Sequence, residues 1–544
     1  TNQITDIFRP DLEHKSKLDD MTPILQIHFL LSLSFRLNFQ YIIIKMKQLR
    51  IPALLILFCF PFGLIGQNKV STRIMEMGRT DNRTMQHLDI LANRIGARPI
   101  GSDAYENATY WVAAQLKKWG LEVEIQEVGE LPVGFNRGPW FGKMFSDQSE
   151  TLDFVTPSYT SGTKGLQRGH VLIEPRTTQE FERMKGKLRG AWVLIEGKSN
   201  GFAIDGSVRG DSLRKAIRIY NDTVKDASKR KTEPALFYRE MVEAGILGII
   251  QAAPVPLVAL YDRHNLYKLS FDNLPSTPDI KLNENQYRKI YEKAMAREFV
   301  MLEFDIRNYF KPGPVKYHNV IAKIRGTKYP DEFVMSGCHL DSNDAATGAV
   351  DCGTGVAPNL EMARLIMAAG GNKPDRSILF CFWAGEEYGL LGSKFWVEKN
   401  KDKLHKISNY FNRDGGPTAA SGLTVPENMY DDILKCTEGL ENYHPQIPFV
   451  VEKNTSGPHP RPTLAGGSDH AYFAMNGVPV ISFRNTDPLG YNFTYREIWH
   501  TTRDRYDMSI PEYMEYTSVT QAVTVYNIAN LKRLLPRNEI YTDK

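Results

Sequence analysis

The fold is decided by the stretch Ser377-Ile378-Leu379-Phe380-Cys381-Phe382-Trp383-Ala384-Gly385-Glu386-Glu387. Its first seven residues are almost wholly apolar, which is typical of a strand buried on both faces of a sheet. Two acids follow directly, and a carboxylate at the end of a buried strand is costly unless a cation compensates it. Neighbouring residues of an extended chain face opposite ways, so we expect Glu386 and Glu387 to have different tasks. The stretch predicts an α/β fold in which two acids, Glu386 and Glu387, lie at the edge of the sheet where they could meet a cation.

A second polar group precedes this stretch. A predicted strand starts at Phe333 and ends near His339-Leu340-Asp341, and twelve residues after His339 comes Asp351, before a glycine turn into a predicted helix at 354–369. Side chains two apart on a strand face the same way, so Asp341 is expected beside His339, accepting its second ring N–H. The Asp351 carboxylate is held on this turn, where it is well placed to bridge two cations.

Further groups follow along the chain. They are Asp414 before two glycines, the pair Asp469-His470, and His500 ahead of a C-terminal helix. Any one alone is more often a turn residue or surface polarity. Together with the earlier groups they give an ordered set of histidines and carboxylates at strand ends, which suits a pair of borderline ions such as zinc. Two metals about 3.5–4 Å apart can clamp both a nucleophile and a carbonyl oxygen.

The composition excludes several classes of protein. The chain has 544 residues, 42% of them hydrophobic, so it has enough apolar material for large cores and is not globally disordered. A net charge of +4 gives no electrostatic case for binding nucleic acid. Five cysteines are too few for a disulfide-built scaffold.

The N-terminal part is interpreted as a targeting signal. Residues 46–66 combine a basic start with an apolar run too short for a comfortable membrane span, which predicts a signal peptide. Residues 1–45 are then a non-native extension, and a signal anchor is the alternative. No other run is long enough to span a bilayer, so we expect an exported protein, periplasmic or extracellular, with no stable membrane span after cleavage.

The rest of the chain reads as an interrupted α/β domain. Residues 67–129 and 311–544 show α/β alternation, whereas residues 130–310 are rich in turns and short strands and predict a β-rich inserted domain. Within the α/β part, the sequence predicts a helix capped by Ser102 and stopped by Gly120, and a strand at residues 478–483. It also predicts a capping box at residues 509–512 for a long helix that ends near Leu535.

Four segments carry a family resemblance: residues 318–330, His339-Leu340-Asp341-Ser342, Asp351-Cys352-Gly353 and the opening at residues 94–102. They resemble the di-zinc exopeptidases of the aminopeptidase Y and glutamate carboxypeptidase family, particularly the carboxypeptidase Q-like members. The resemblance covers nearly the whole chain after residue 80. It implies a three-layer zinc-exopeptidase fold with a mixed central sheet, and a protease-associated domain at 130–310.

The resemblance also implies a ligand set for two Zn²⁺ per subunit. Asp351 would bridge both ions. His339 and Asp414 would complete one site, and Glu387 and His500 the other.

The catalytic roles implied by the resemblance fall on four other residues. Glu386 would act as general base on a water shared by the two ions and would later protonate the leaving amine. Asp341 would support His339 from behind. Asp469 and His470 would line the substrate cleft.

Two residues depart from the family pattern. Cys352 follows the bridging acid where the family has Asp or Asn, and a thiol there would either add a metal contact and oxidation sensitivity or be a tolerated small side chain. Arg413 precedes Asp414 where relatives carry a neutral or acidic residue, so a positive charge is expected near the site.

Three functions remain open at this stage. The first is a secreted zinc exopeptidase acting on dipeptides or short peptides, either a carboxypeptidase or dipeptidase or an aminopeptidase. The second is a non-catalytic receptor or binding ectodomain on the same fold. The third is an acyl-transfer enzyme of the glutaminyl cyclase kind, against which the insert argues. The expected partners are a peptide substrate and a second copy in a homodimer, with no nucleic acid.

Overall fold

The computed structural model describes residues 65–370 and 373–542. The predicted extension at 1–45, and all but the last two residues of the predicted signal peptide at 46–66, lie outside the described residues. None of the helices in the described part combines the length and the apolar character that crossing a bilayer requires.

The strands form one large sheet and two small ones. In chain order they are β1 (Glu122–Phe145), β2 (Glu150–Thr151), β3 (Phe154–Val155), β4 (Gln167–Ile173), β5 (Ala191–Lys198), β6 (Gly248–Ala253), β7 (Asp279–Asn283), β8 (Met301–Ile324), β9 (Tyr329–His339), β10 (Arg376–Trp383), β11 (Ile407–Asn412), β12 (Ala419–Val425), β13 (Val450–Lys453), β14 (His459–Pro460), β15 (Phe483–Thr486) and β16 (Tyr541–Thr542).

The helices alternate with these strands. They are α1 (Ile65–Thr80), α2 (Thr84–Asp89), α3 (Asp103–Lys118), α4 (Thr178–Met184), α5 (Val208–Thr223), α6 (Tyr238–Glu243), α7 (Arg263–Leu266), α8 (Glu284–Ala296), α9 (Thr354–Ala368), α10 (Leu391–Lys399), α11 (Glu427–Cys436), α12 (His470–Met475) and α13 (Pro511–Ala529).

The large sheet is mixed and has the order β11-β9-β10-β8-β4-β5-β6-β7-β3, with β1 and β2 attached beside β8. Strands β9, β10 and β11 are parallel, while β8 runs antiparallel to β10. In the parallel register His339 pairs with Trp383, and Gly337 pairs with Asn412. The C-terminal ends of the three strands therefore meet at one edge, which is where the predicted site residues follow.

Helices cover both faces of this part of the sheet. Residues of β10 alternate between two cores: Phe380 and Phe382 pack with residues of α3, α9 and α13, whereas Cys381 and Trp383 pack with residues of α10 and α12. All eight residues of β10 are buried, as its apolar sequence predicts. The result is the predicted arrangement of three layers around a mixed sheet.

Residues 130–310 share this sheet through two long strands. Strands β1 and β8 pair antiparallel from Glu122 with Lys323 to Phe145 with Met301, so both run from the α/β part into the region of the predicted insert. That region has apolar clusters of its own and carries helices α4–α8 as well as strands. A separate inserted domain with the boundaries 130–310 stays a prediction.

The local predictions have different outcomes. The Ser102 side chain caps α3 by accepting a hydrogen bond from the Tyr105 N–H, as predicted. The strand predicted at 478–483 is wrong, because Val480 forms only a single bridge with Tyr410 and β15 starts at Phe483.

The predicted capping box at 509–512 is also wrong. The Ser509 hydroxyl donates to the Tyr506 carbonyl, and no side chain caps the helix that begins at Pro511. That helix ends at Ala529 rather than near Leu535. Pro511 alone marks the start, because its fixed φ suits the first turn of a helix.

Candidate metal centre

Five side chains meet at the edge formed by the ends of β9, β10 and β11. His339 is the last residue of β9, Glu387 follows β10, and Asp414 follows β11. Asp351 lies in a short turn before α9, and His500 lies in a loop before α13 with a left-handed φ of 58°. The structure thus brings together all five residues predicted as ligands, although the first and the last, His339 and His500, are 161 positions apart in the chain.

The carboxylate of Asp351 stands between the two histidines. Its Oδ1 lies 3.1 Å from His339 Nε2, and its Oδ2 lies 3.5 Å from His500 Nε2. His339 Nε2 is also 3.4 Å from Asp414 Oδ1, and His500 Nε2 is 2.8 Å from Glu387 Oε2. Each oxygen of Asp351 therefore faces a different histidine, and each histidine also faces a second carboxylate.

The potential ligand atoms form two compact groups. Asp351, Glu387 and His500 place theirs within 4.8 Å of one another, and so do His339, Cys352 and Asp414. Cys352 was noted in the sequence as a departure from the family pattern; its thiol donates to the Arg413 carbonyl oxygen. Asp351 belongs to the group of Glu387 and His500, and Cys352 is the third member beside His339 and Asp414. The assignment of these residues to two ions stays a prediction.

The two histidines compensate only part of the negative charge of this cluster. Burial, together with the nearby Glu387 carboxylate, raises the pKa of Asp351 to about 6. Glu387 and Asp414 keep pKa values below their usual range: burial opposes their ionisation, but His500 and His339 respectively outweigh it. Buried carboxylates in such number are stable only with cationic partners, and the set of imidazole and carboxylate donors fits borderline divalent ions.

The ring of His339 is oriented by a backbone group. Its Nδ1 donates to the carbonyl oxygen of Asp341 at 2.9 Å, which directs Nε2 at the Asp351 carboxylate. The Asp341 carboxylate, expected to accept this N–H, is 3.7 Å from Nδ1. It accepts instead from the N–H groups of Glu386 and Glu387, at 3.1 and 3.2 Å. Asp341 therefore holds the turn that carries both acids.

Glu386 and Glu387 differ in their surroundings, as predicted from their adjacency. Glu387 is 3% exposed, and its Oε1 accepts a hydrogen bond from the Asn343 N–H at 3.1 Å. Glu386 is half-buried, and it belongs to neither ligand group. Burial nevertheless raises its pKa well above the usual range for a carboxyl group. A carboxyl group of this kind can exchange a proton with a molecule in the cleft.

An open cavity of about 380 Å³ lies beside the cluster. Its lining includes Asp414, His470, Tyr495 and Trp499. His470, which was predicted to line a substrate cleft, lines this cavity. Asp469 does not: it is fully buried, and its Oδ1 accepts from the Ser393 hydroxyl at 2.5 Å.

Arg413 also lines this cavity, so the positive charge expected near the site is present. Its guanidinium donates to the carbonyl oxygens of Thr354 and Thr418 and to the side-chain oxygen of Asn485. These acceptors are neutral, and burial lowers the pKa of Arg413 to about 10.

Two supporting residues were not predicted from the sequence. Asp504 is buried, and its Oδ1 accepts from the Val350 N–H at 2.6 Å, which fixes the turn that carries Asp351. Arg98 is fully buried and donates to four carbonyl oxygens, those of Gly96, Leu340, Thr347 and Gly348. Arg98 stood in the quoted opening segment, but three of its four partners are 242–250 residues away in sequence.

Replacing Arg98 with lysine is expected to lower the free energy of unfolding by about 3–5 kcal/mol. An ammonium group cannot reach all four carbonyl oxygens, and each buried carbonyl left unpaired costs about 1–3 kcal/mol. Urea denaturation followed by circular dichroism measures the change. The matched control is Arg94→Lys, because the Arg94 side chain is 72% exposed and its loss should change stability by less than about 0.5 kcal/mol. Equal stabilities of the two variants would contradict the structural role of Arg98.

Comparison with known proteins shows similarity to metallopeptidases. Residues 319–524 match the family model for Peptidase family M28. Carboxypeptidase Q from Mus musculus is 24% identical over 473 residues, covering 85% of this chain and 88% of that protein. A glutamate carboxypeptidase 2 homolog from Caenorhabditis elegans is 29% identical over 337 residues, covering 58% of this chain and 40% of that protein.

A solved structure shows the same fold. The crystal structure of a Peptidase M28 precursor from Shewanella amazonensis SB2B superposes with a TM-score of 0.54 at 21% identity, covering 86% of this chain and 98% of that one. The predicted α/β fold with a mixed central sheet is thereby confirmed. Residues 319–524 match Peptidase family M28, and the protein is a metallopeptidase that resembles carboxypeptidase Q.

Proposed function

We propose that this protein is an exopeptidase that hydrolyses dipeptides or short peptides with two Zn²⁺ ions per subunit. The observation that carries the proposal is the position of Asp351, whose two carboxylate oxygens face His339 and His500 separately. A carboxylate shared in this way joins two ligand groups into one centre.

The residues present suit zinc in both groups. His339 and Asp414 would hold one ion, Glu387 and His500 the other, and Asp351 both. Zinc bound there would lower the pKa of a water molecule and polarise a peptide carbonyl group.

The chain's own acid–base group is Glu386. Its carboxylate would take the proton of the attacking water and pass it to the nitrogen of the leaving amine, so that the same group serves as base and then as acid. The raised pKa of Glu386 suits the second step, because burial favours the protonated carboxyl group. Asp341 supports both steps through its hydrogen bonds to the N–H groups of Glu386 and Glu387.

A dipeptidase or carboxypeptidase specificity is favoured by Arg413. This cation lines the cavity beside Asp414, and its own hydrogen-bond acceptors are neutral. A cation in that position attracts the free carboxylate of a short peptide. An aminopeptidase specificity is the alternative, and it requires no anionic group at the end of the substrate.

Three features complete the proposal. Residues 46–66 favour export to the periplasm or the extracellular space. Residues 130–310 are assigned to an inserted protease-associated domain. The protein is also proposed to form a homodimer, for which no surface is assigned. A binding ectodomain is disfavoured because the five ligand residues and Glu386 are all retained.

The deciding experiment is hydrolysis of a small panel by the protein from residue 67 onward, with and without chelator. The panel holds free dipeptides, N-blocked dipeptides and aminoacyl amides. We expect cleavage of free dipeptides, loss of at least about 10³-fold in rate on metal removal, and recovery on adding Zn²⁺, because metal electrostatics supply several kcal/mol to such reactions.

The other possible results of this experiment would each favour a different function. Cleavage of the aminoacyl amides would establish an aminopeptidase and remove the role given to Arg413. Two bound ions without chelator-sensitive cleavage of any member would favour a binding ectodomain, and a single bound ion would favour an acyl-transfer enzyme.

A further inference from the structure

Residues 257–261 belong to the region of the predicted insert, yet they contact the loops that carry two of the candidate metal ligands. We propose that this segment positions the half of the metal centre formed by Glu387 and His500, and so links the insert to the occupancy of one ion. The inference rests on the proposed two-zinc centre. It deepens that proposal by giving the two halves different supports.

The first contact is made by Tyr261. Its hydroxyl donates a hydrogen bond to the backbone carbonyl oxygen of Glu387. Its ring stacks on that of Tyr388, with the ring centroids 4.0 Å apart and the planes inclined by 13°. Tyr261 therefore holds the backbone of a ligand residue directly and that of the next residue through its side chain.

The second contact fixes the loop of His500. The N–H of Thr502 donates to the carbonyl oxygen of Leu257 at 2.9 Å, and Val258 forms an antiparallel bridge with Thr501. His500 directly precedes this bridge and has a left-handed φ of 58°, a conformation that residues other than glycine adopt at a cost. A backbone bridge next to such a residue helps to hold it in place.

The segment is itself anchored in the insert. Leu257 and Ala259 are buried in a small apolar cluster with Val155 and Ala253, and the N–H of Leu260 donates to the Gly201 carbonyl oxygen at 2.9 Å. The segment therefore cannot shift without moving its surroundings.

The other half of the centre is supported differently. His339 ends β9 and Asp414 follows β11, and these two strands pair directly within the large sheet. Glu387 also follows a strand of this sheet, β10, but Glu387 and the loop of His500 receive additional contacts from residues 257–261. Disturbing residues 257–261 should therefore lower the affinity for one ion and leave the affinity for the other unchanged.

The test is the Tyr261→Phe variant of the full chain, which loses the hydroxyl and keeps the stacked ring. Zinc binding is measured by competition with a chromophoric chelator, and the bound ions are counted by elemental analysis. Removing a hydrogen-bond partner of a metal-ligand residue typically weakens metal binding about 10–100-fold. We expect that loss for one of the two ions and unchanged affinity for the other.

Two further variants sharpen the result. Tyr261→Ala also loses the stacked ring and should lower the affinity for the same ion further. Tyr267→Phe should bind both ions with wild-type affinity. Tyr267 lies in the same region, and its hydroxyl is 3.3 Å from the Tyr317 hydroxyl, away from the ligands. With limiting zinc, kcat of Tyr261→Phe should fall at nearly constant KM and recover when zinc is in excess.

The inference is overturned if Tyr261→Phe binds both ions with wild-type affinity or weakens both equally. Its outcome is separate from that of the proposed function. A wild-type protein that binds two ions and cleaves no peptide contradicts the proposed activity, while the difference in zinc affinity between wild type and Tyr261→Phe still decides the role of the segment.

Discussion

Glu386→Gln is expected to lower kcat for dipeptide hydrolysis by about 10²–10⁴-fold while the protein keeps its metal ions, which is the usual range for loss of a general base. The amide cannot accept the proton of the attacking water. Glu386 lies outside both ligand groups, and its N–H is held by the Asp341 carboxylate, a contact that glutamine keeps. Steady-state kinetics and elemental analysis on the same preparation check both parts.

The control for this variant is Glu398→Gln, which makes the same chemical change at an exposed position of α10. It should retain wild-type kcat and metal content. Full activity of Glu386→Gln would remove Glu386 from the reaction. Loss of metal together with activity would assign it to the ligand set instead.

The second large effect is expected for Asp351→Asn, which should lose both ions and at least about 10³-fold in kcat/KM. The asparagine side chain carries no charge and cannot share a carboxylate between two cations, and metal electrostatics contribute several kcal/mol to such reactions. A variant that keeps one tightly bound ion would show that Asp351 serves only one of the groups. Asp402→Asn, an exposed acid before β11, is the matched control and should behave as the wild type does.

Thermal denaturation separates metal loss from misfolding in this variant. With excess chelator, Asp351→Asn should unfold at the same temperature as the wild type or at a higher one. Without cations, the Asp351 carboxylate is buried beside Glu387 and Asp414, whose charges disfavour its ionisation. A metal-free variant less stable than the metal-free wild type would show that Asp351 has a structural role that does not depend on metal.

Much of the fold and of the ligand set could be predicted from the sequence. The apolar run of β10 and the cap at Ser102 are local signals, because burial on both faces and a free helix N-terminus each impose their own residue types. The candidate ligands could be picked out because each follows a predicted strand or stands at a turn. The family resemblance then supplied their division into two groups.

The wrong predictions concern residues whose partners are remote in sequence. Residues 478–483 are apolar like a strand, but only Val480 forms a bridge, with Tyr410. The carboxylate of Asp341 was assigned to His339 from strand periodicity, whereas it lies closer to the N–H groups of the Glu386 turn. Asp469 was placed in the cleft but is buried against Ser393.

The sequence by itself determined the order of the elements, the chemistry of the ligands and the family, since periodicity, turn residues and motifs are properties of short segments. Only the tertiary structure decided how the centre is supported. Arg98, Asp504 and Tyr261 act through hydrogen bonds to backbone groups 126–250 residues away along the chain. A backbone carbonyl or N–H is the same in every residue, so such contacts leave no pattern in the sequence and emerge only when the chain folds.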